Sequence, residues 1–307
     1  MINGRRPPPP PERAESHPDE SWTVGRLLSW TTDYLKRRGS ESPRLDAEVM
    51  LAHVLEWQRV QLYTHFADEV GERSRGGFRE LVRRRAKGAP VAYLVGRKEF
   101  FSLPFVVSPA VLIPRPESEF VVTEYLALTR QLESPRCVDV GTGSGCLAIA
   151  ASHRQPRARF VAIDICEEAL AVARRNAAQL GVADRIDFRL GDQLGPVAGE
   201  GPFDAIISNP PYIPTAEIER LEPGVRYYEP RTALDGGPDG LGMVARLIEE
   251  SVRILKPGGH LVLEIGSDQE RPVRALIEAQ AQLRLAPTVH DHAKHPRVIH
   301  ATKKDEG

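Results

Sequence analysis

The first regular pattern along the chain is helical and begins near Thr23. Apolar side chains recur there at every third or fourth position, which is the spacing of an amphipathic helix. Thr23 can cap a first helix that Gly39 ends, Pro43 can begin a second helix, and a third is predicted near Phe78–Lys87. Together these helices predict a small bundle over residues 21–95.

From Arg136 onward the pattern changes, because short apolar runs of strand length alternate with helical stretches. Such alternation is typical of a mainly parallel sheet with helices on both faces. Two last apolar segments, Leu283–His290 and Arg297–Ala301, can add an antiparallel pair at one edge. We therefore expect an α/β domain over residues 111–307. The strand candidates before that pair are Arg136–Val140, Arg159–Ile163, Arg185–Leu190, Phe203–Ser208 and His260–Ile265.

Two further segments complete the predicted organisation. A hairpin linker is expected over residues 96–110, with strands at Glu99–Ser102 and Phe105–Val107 and a turn at the two residues between them. Residues 1–20 hold a proline run and few apolar side chains, so we expect a disordered tail there.

Charge and composition narrow the classes of function. The 307 residues include 41 basic and 42 acidic side chains, a net charge of −1, so the chain lacks the overall positive field that holds nucleic acid. No apolar run approaches the roughly 20 residues that span a bilayer, and no secretory signal is visible. We expect a cytoplasmic protein that binds no membrane and no nucleic acid stably.

The cysteines and one basic stretch are weak signals. Cys137, Cys146 and Cys166 share no spacing typical of zinc sites, so neither a metal nor a disulfide is expected, and each is interpreted as a small buried hydrophobe. Several arginines between residues 79 and 85 make the end of the bundle basic. This face is either ordinary solvated surface or a docking surface for an acidic partner or RNA.

A glycine-rich loop follows the first strand of the α/β region. It has the sequence Gly141-Thr142-Gly143-Ser144-Gly145, and glycines in such a turn let the backbone approach a ligand closely. Dinucleotide enzymes use G-x-G-x-x-G, whose last glycine would stand at position 146, where this chain has a cysteine. Taken alone, the loop is a weak signal.

Acidic residues after the strands make the loop more informative. Asp164 follows Gly141 by 23 residues, where a carboxylate can accept both hydroxyl protons of an adenosine ribose or, alternatively, cap the next helix. The loop and Asp164 together indicate an adenosine-bearing ligand without phosphates. Asp139 could hold the cationic amino end of a methionine group or merely cap the loop. Asp192 is placed to reach the exocyclic amine of an adenine.

The tetrapeptide Asn209-Pro210-Pro211-Tyr212 ends the fourth strand candidate. Prolines have no N–H, so the segment offers carbonyl acceptors with few competing donors. The Asn209 side-chain oxygen and the Pro210 carbonyl can each accept one hydrogen of a planar NH₂ group, while Tyr212 offers an aromatic face. Two such bonds can hold the nitrogen lone pair toward an electrophilic methyl group without a general base. The alternative is a proline-rich turn that ends a buried strand.

These motifs and the stretches around them resemble the HemK/PrmC family, the release factor glutamine methyltransferases, within the class I S-adenosylmethionine-dependent methyltransferases. The likeness covers nearly all of residues 22–302. The tetrapeptide is shared with adenine amino-methyltransferases, whereas the flanking stretches are more specific. Those stretches include Ser42–Glu48, Pro90–Gly96, Leu112–Glu119 and Glu229–Gly237.

The resemblance implies a Rossmann-like, seven-stranded sheet and a role in translation termination through protein methylation. The implied reaction moves a methyl group from S-adenosylmethionine to the glutamine side-chain nitrogen in a Gly-Gly-Gln loop of class-one peptide chain release factors, leaving S-adenosylhomocysteine. The bundle would then hold the release factor. The resemblance also implies that residues 141–145 and Asp164 bind the cofactor, that Asn209 lies between cofactor and substrate, and that Pro210–Tyr212 shape the glutamine pocket.

The predicted site can now be stated in full. Its catalytic residues are Asn209, Pro210 and Tyr212, and Pro211 joins them in binding the substrate. Its cofactor contacts are Gly141, Thr142, Gly143, Ser144, Gly145, Asp164, Asp192, Gln193 and Asn209. The chain departs from the family pattern at Ser118, where threonine is usual, and at Gln193, where an aromatic residue often covers the adenine.

Other readings of the chemistry stay open at this point. The acceptor could be a glutamine of a ribosomal protein, or an adenine in DNA, although the neutral chain argues against DNA. An NAD-dependent oxidoreductase is disfavoured by the spacing of the glycine loop, and a non-catalytic binding module leaves the tetrapeptide without a purpose. The long connection between Ile213 and Gly240 is expected to act as a lid over the acceptor.

Overall fold

The computed structural model describes residues 21–305, and these form two compact units whose boundary lies between Val95 and Gly96. The predicted disordered tail, residues 1–20, lies outside the described residues. The finer division into bundle, linker and α/β domain stays a prediction. Within the described range, no helix is both long and apolar enough to cross a membrane.

The first unit is helical, as the apolar periodicity indicates. Thr23 caps its first helix, since its side-chain oxygen accepts a hydrogen bond from the Arg26 N–H at 3.3 Å, and Pro43 begins the second. The fourth helix begins at Glu72 rather than near Phe78, because its first turns are polar and carry no apolar period. The helices are α1 (Val24–Arg37), α2 (Pro43–Leu55), α3 (Gln61–Thr64), α4 (Glu72–Arg85) and α5 (Val91–Val95).

The basic end of α4 has partners within its own unit. Arg85 Nε donates to Asp46 Oδ2 at 2.7 Å, and Arg83 pairs with Glu80, also at 2.7 Å. Arg79 Nη2 also lies 3.8 Å from Glu72 Oε1, so three of these arginines have intramolecular partners, and a docking role for this face stays a prediction.

A β-hairpin opens the second unit, and its turn lies earlier than predicted. Phe101 and Ser102 form that turn with φ of 53° and 61°, so the predicted strand limits and turn position are wrong. Two consecutive positive φ values match the twist of paired strands, but the turn contains no glycine to mark it. The Asn176 side chain fixes the hairpin by accepting from Val106 N and donating to Val106 O. The two strands are β1 (Arg97–Phe100) and β2 (Leu103–Val106).

The rest of the second unit alternates strands and helices around one sheet. The strands are β3 (Arg136–Val140), β4 (Arg159–Asp164), β5 (Ile186–Leu190), β6 (Phe203–Ser208), β7 (Leu255–Glu264), β8 (Leu283–Leu285), β9 (Val289–His290) and β10 (Pro296–Lys303). The helices are α6 (Glu119–Thr129), α7 (Cys146–Arg154), α8 (Glu167–Gln179), α9 (Pro223–Arg226), α10 (Gly242–Ile254) and α11 (Glu270–Glu278).

The strand order is β5-β4-β3-β6-β7-β10-β8, and the short β9 pairs with β10. The first five strands in that order run parallel, while β10 is antiparallel to its neighbours. This topology confirms the predicted α/β class, with one short strand beyond the expected seven. The segment Leu283–His290 forms two strands instead of one, because Pro287 has no N–H to donate to a ladder.

Helices cover both faces of the sheet. Successive side chains of β3 point to opposite faces, so Val138 joins the core that includes α10 while Cys137 joins the core that includes α6 and α7. Strands buried on both faces explain the continuous apolar runs in the sequence. All the parallel strands end along one edge, which is where ligands bind in open α/β sheets.

Candidate active site

One cavity of about 690 Å³ lies at the carboxyl ends of β3, β4, β5 and β6. The Ser208 hydroxyl donates to the Val140 carbonyl at 2.7 Å, which ties the ends of β6 and β3 together. The predicted site residues that line this cavity are Gly141, Thr142, Gly143, Ser144, Asp164, Asp192, Gln193, Asn209 and Pro211. The structure therefore brings the glycine loop and the tetrapeptide to the same space.

Three predicted site residues, Gly145, Pro210 and Tyr212, are not part of the cavity wall. Gly145 has φ of 80°, and a Cβ there would lie 2.7 Å from Ile149 Cδ1 and 3.2 Å from Ala173 Cβ. Close packing of α7 therefore requires this glycine, and the structure does not support the predicted cofactor contact. Pro210 is buried and Tyr212 is half-buried.

Asp164 holds the glycine loop in place. Its Oδ2 accepts from the Gly143 N–H at 2.8 Å, and its Oδ1 accepts from the Cys166 N–H at 3.0 Å. Cys166, not Asp164, is the N-cap of α8, and this cap makes no side-chain hydrogen bond, so the alternative role of Asp164 as a cap of that helix is wrong. Each carboxylate oxygen keeps a second lone pair, so Asp164 can still accept from ribose hydroxyls. Burial raises the pKa of this carboxyl.

Asp139 is fully buried beside the loop. Thr142 Oγ1 and Ala148 N donate to its Oδ2 at 2.7 and 3.2 Å, while Oδ1 has no partner among residues 21–305. Burial raises its pKa to about 7 against the effect of these two hydrogen bonds. Asp139 is not part of the cavity wall, so capping of the loop is the role that the contacts support directly.

The two residues after β5 differ in their surroundings. Asp192 is largely exposed, and its carboxylate already pairs with Arg246 Nη2 at 2.5 Å. Gln193 turns inward with φ of 48° and is 5% exposed, and its Oε1 has no hydrogen-bond partner in the described chain. Gln193 therefore places an unpaired acceptor at the cavity, to which an NH₂ group of a ligand can donate.

The tetrapeptide keeps its key acceptors unoccupied. Asn209 Nδ2 donates to Ser118 Oγ at 2.9 Å, which leaves Asn209 Oδ1 as the free end of the amide. The Pro210 carbonyl receives no hydrogen bond from the described residues. Gln269 Nε2 donates to the Tyr212 carbonyl at 2.8 Å and fixes the far end of the segment. This corner can offer acceptors to an NH₂ group, and its catalytic role stays a prediction.

Glu264 is a residue of this region that the sequence reasoning missed. It ends β7 beside β6, is 1% exposed, and accepts a hydrogen bond from the Tyr212 hydroxyl at 3.5 Å. Burial raises its pKa to about 7, while the Ser118 side chain and the Arg297 charge lower it. Its only sequence signal is a lone charged residue that closes an apolar run.

Arg115 also lines the cavity, from the stretch before α6. Its Nη2 donates to Glu229 Oε1 at 2.5 Å, and the Glu229 side chain is almost fully buried. The ion pair ties this stretch to the long connection that follows the tetrapeptide. Within that connection, most residues between 230 and 237 line the same cavity. The predicted lid contributes to the cavity wall, and its movement stays a prediction.

The cysteines do not share one environment. Cys137 is buried in the core, and Cys146 is partly buried and packs against the same core while it also lines the cavity. Cys166 is partly exposed at the cavity and belongs to neither core cluster, so the interpretation as a buried hydrophobe is wrong for Cys166. Burial raises the pKa of Cys146 to about 12, which disfavours the thiolate. Among residues 21–305, no three His, Cys, Asp or Glu side chains are grouped as metal ligands.

The fold and the cavity define the class of protein. Residues 121–220 match the methyltransferase small domain. The hMettl16 catalytic domain, in a complex with the MAT2A 3′UTR hairpin 6, aligns with a TM-score of 0.54 and 16% identity over 74% of this chain and 83% of that chain. At such identity the likeness supports the fold alone. The chain is a methyltransferase with a Rossmann-like sheet.

The family is more specific than this class. Residues 26–96 match the PrmC N-terminal domain. The release factor glutamine methyltransferase of Rhodopirellula baltica is 42% identical, over 94% of this chain and 99% of that protein. The one from Moorella thermoacetica is 43% identical, over 92% of this chain and 100% of that protein. This chain belongs to the release factor glutamine methyltransferase family, which confirms the resemblance seen in the sequence.

The cofactor of this family is S-adenosylmethionine, and the cavity residues fit it. Gln193 Oε1 is a buried acceptor that lacks a partner in the described chain, as an adenine amine requires. Asp164 retains lone pairs for a ribose, and the loop offers backbone rather than bulky side chains beside them. These residues would hold the adenosine part of the cofactor.

Proposed function

We propose that this protein methylates the side-chain nitrogen of the glutamine in the Gly-Gly-Gln motif of class-one peptide chain release factors. Relatives about 40% identical over nearly their whole length are release factor glutamine methyltransferases, which supports release factors as the acceptor. The likeness of the tetrapeptide and its flanking stretches to the family supports this particular motif.

The orientation of the Asn209 amide is the observation that carries the proposal. Because Nδ2 donates to Ser118, the carbonyl oxygen Oδ1 remains for a ligand. A glutamine NH₂ group has two hydrogens to donate, and Asn209 Oδ1 and the Pro210 carbonyl can each accept one. The amide nitrogen is otherwise a poor nucleophile, since its lone pair is delocalised. Two fixed hydrogen bonds hold that lone pair toward the methyl donor.

The remaining residues of the site would bind the cofactor and enclose the reacting groups. S-adenosylmethionine supplies a methyl group on a positively charged sulfur, which is a strong electrophile. Asp164 and Gln193 would hold the ribose and the adenine of the cofactor, and Asn209 lines the same cavity. Arg115 and most of residues 230–237 of the connection contribute to the wall of the same cavity, where they would shield the reacting groups from water. No general base is required, because the nitrogen can release its proton after the new bond forms.

Mass mapping after incubation with labelled S-adenosylmethionine tests the proposal. A purified class-one release factor should gain one methyl group on the motif glutamine, and a release factor with that glutamine changed to asparagine should gain none. Label on a lysine of the release factor would contradict the proposed geometry. Label that appears only on a ribosomal protein or on DNA would contradict the proposed acceptor.

A further inference from the structure

The side chain of Gln269 holds three separate backbone groups. Gln269 Nε2 donates to the Tyr212 carbonyl at 2.8 Å and to the Gly240 carbonyl at 3.3 Å. Its Oε1 accepts from the Gly266 N–H at 3.0 Å. Gln269 is 6% exposed and is not part of the cavity wall, so it acts from behind that wall and does not contact a ligand in the cavity.

Only one orientation of this amide satisfies all three groups. Carbonyl oxygens can only accept, and the Gly266 N–H can only donate. The two hydrogens of the Gln269 NH₂ group match the two carbonyls, and the amide oxygen matches the N–H. A flipped amide would place its oxygen against both carbonyls and leave these buried groups without partners. The surroundings therefore fix the orientation of Gln269.

The two carbonyls stand at the two ends of the long connection that follows the tetrapeptide. Tyr212 is the last residue of the tetrapeptide, and Gly240 lies just before α10. A Cβ at Gly240 would lie 2.3 Å from the Tyr212 oxygen and 2.8 Å from Gln269 Nε2, and φ there is 74°. Glycine allows so close an approach of the backbone. Gln269 therefore fastens the start of the connection to its end.

This contact limits the movement of the tetrapeptide. The peptide group that offers the Tyr212 carbonyl is also held at its N–H, that of Ile213, which donates to the Leu234 carbonyl at 3.0 Å. At the other end of the tetrapeptide, Ser208 is paired within the sheet. Between these ends, each proline fixes its own φ and restricts the residue before it. Little freedom therefore remains for the Pro210 carbonyl.

We propose that Gln269 is a positioning residue that aims the Pro210 carbonyl at the acceptor nitrogen by holding the Tyr212 carbonyl. This inference rests on the proposed function, in which the Pro210 carbonyl and Asn209 Oδ1 each accept one hydrogen of the glutamine NH₂ group. Without the Gln269 amide, the peptide group after Tyr212 can turn, and the direction of the Pro210 carbonyl changes with it. The acceptor nitrogen is then aligned with the methyl group less often, so turnover falls while cofactor binding is kept.

The substitution Gln269→Met nearly keeps the length of the side chain and removes its hydrogen bonds. We expect kcat for release factor methylation, counted per S-adenosylhomocysteine-binding site, to fall about ten- to a hundredfold, because the reacting groups are misaligned. Calorimetry counts these sites and should give a Kd within about threefold of the wild type, since Gln269 lies outside the cavity wall. The KM for the release factor should also stay within about threefold. A kcat per site equal to that of the wild type would overturn the proposal.

Gln155→Met is the matched control. Gln155 Nε2 donates to the Thr129 carbonyl at 3.2 Å and to the Leu132 carbonyl at 3.4 Å, so this amide also joins two backbone carbonyls. Gln155 follows α7 just before β4 begins, at the sheet edge opposite the cavity. Its loss should lower the free energy of unfolding in urea and leave kcat per site unchanged. An equal fall of kcat per site in both variants would show a general loss of packing and contradict the proposal.

A second variant changes the same contact from the other side. Gly240→Ala adds a methyl group that would overlap the Tyr212 oxygen and Gln269 Nε2. We expect kcat per site to fall here too. The double variant with Gln269→Met should lose less than the product of the two separate factors, because both changes break one contact. Fully multiplied losses would count against the proposal. Wild-type protein that methylates no release factor at all would instead refute the proposed function.

Discussion

The hydrogen bond between Asn209 and Ser118 fixes which end of the Asn209 amide remains for a ligand. A proline-flanked asparagine by itself could present either end of its amide, because the two ends have nearly the same shape. The serine hydroxyl removes that ambiguity by accepting from Nδ2. Since Ser118 lies 91 positions before Asn209 in the chain, local sequence could indicate the acceptors but not the group that orients them.

Asn209→Ala should separate binding of the cofactor from turnover. The variant loses one acceptor for the substrate nitrogen while Asp164 and Gln193 are unchanged. A lost hydrogen bond of roughly 1–3 kcal/mol, if felt only in the transition state, corresponds to about one to two decades in kcat. Steady-state kinetics with a release factor and calorimetry with S-adenosylhomocysteine measure the two effects. Activity equal to that of the wild type would remove Asn209 from its role.

Asp139 makes the stability of the protein depend on pH. In the folded chain its pKa is raised to about 7, above its ordinary value of 3.8. Its contribution to stability is therefore fully present below about pH 4 and is lost as the pH rises to about 7. Above that pH the buried charge costs on the order of 4 kcal/mol relative to the neutral carboxyl.

We therefore expect Asp139→Asn to raise the free energy of unfolding at pH 8 by more than at pH 5. In the wild type, Asp139 carries a buried negative charge at pH 8 but is largely neutral at pH 5. The asparagine is neutral at both pH values, so the substitution removes the cost of that charge only at pH 8. Urea unfolding of both proteins at both pH values measures the difference. Asp184→Asn, at an exposed carboxyl, is the control and should show no such pH dependence. An equal gain at pH 5 and pH 8 would contradict the buried charge.

The strands and helices follow from the sequence wherever apolar runs lie between clear turn residues. The limits of β3 and β6 agree with the prediction for this reason. In contrast, β7 begins at Leu255 instead of His260, because Pro257 and two glycines look like a turn but form an irregular part of the strand. The glycine loop and the tetrapeptide were predictable as site segments, since each follows a strand. Glu264 was not, because a single carboxylate at the end of a strand is also typical of a surface.

The junction of Gly145 with α7 and α8 leaves no room for a side chain. A Cβ at this position would overlap Ile149 Cδ1 at 2.7 Å, and its φ of 80° is also unfavourable for alanine. Gly181 follows α8 with φ of 70°, and a Cβ added there would have no atom within 4 Å. An alanine at position 181 would therefore carry only the cost of the backbone conformation, without the overlap found at position 145.

Gly181→Ala should therefore cost roughly 1–2 kcal/mol of stability. Gly145→Ala should cost about 1–3 kcal/mol more, because overpacking adds to the same backbone strain. Chemical denaturation of the two variants and the wild type measures both values. Equal losses in the two variants would show that α7 can move away from the new methyl group.

The two compact units divide the structural tasks of the molecule. Every residue that lines the cavity lies between Ala110 and Arg246, within the second unit. Both large hydrophobic clusters around the sheet also consist of residues of that unit. The first unit supplies none of the residues that line this cavity, so the holding of the release factor that the family resemblance implies for it stays a prediction.

A chain of residues 96–307 should therefore bind S-adenosylhomocysteine with a Kd within about twofold of the full chain, because its cavity is complete. The KM for a release factor should rise tenfold or more, since the proposed docking contacts are gone. A short Gly-Gly-Gln peptide provides the control, because it has no docking surface and should be an equally poor substrate for both chains. Circular dichroism establishes that the shortened chain is folded. If it is folded and its KM for the release factor is unchanged, the first unit does not hold the substrate, and the basic face of α4 needs another explanation.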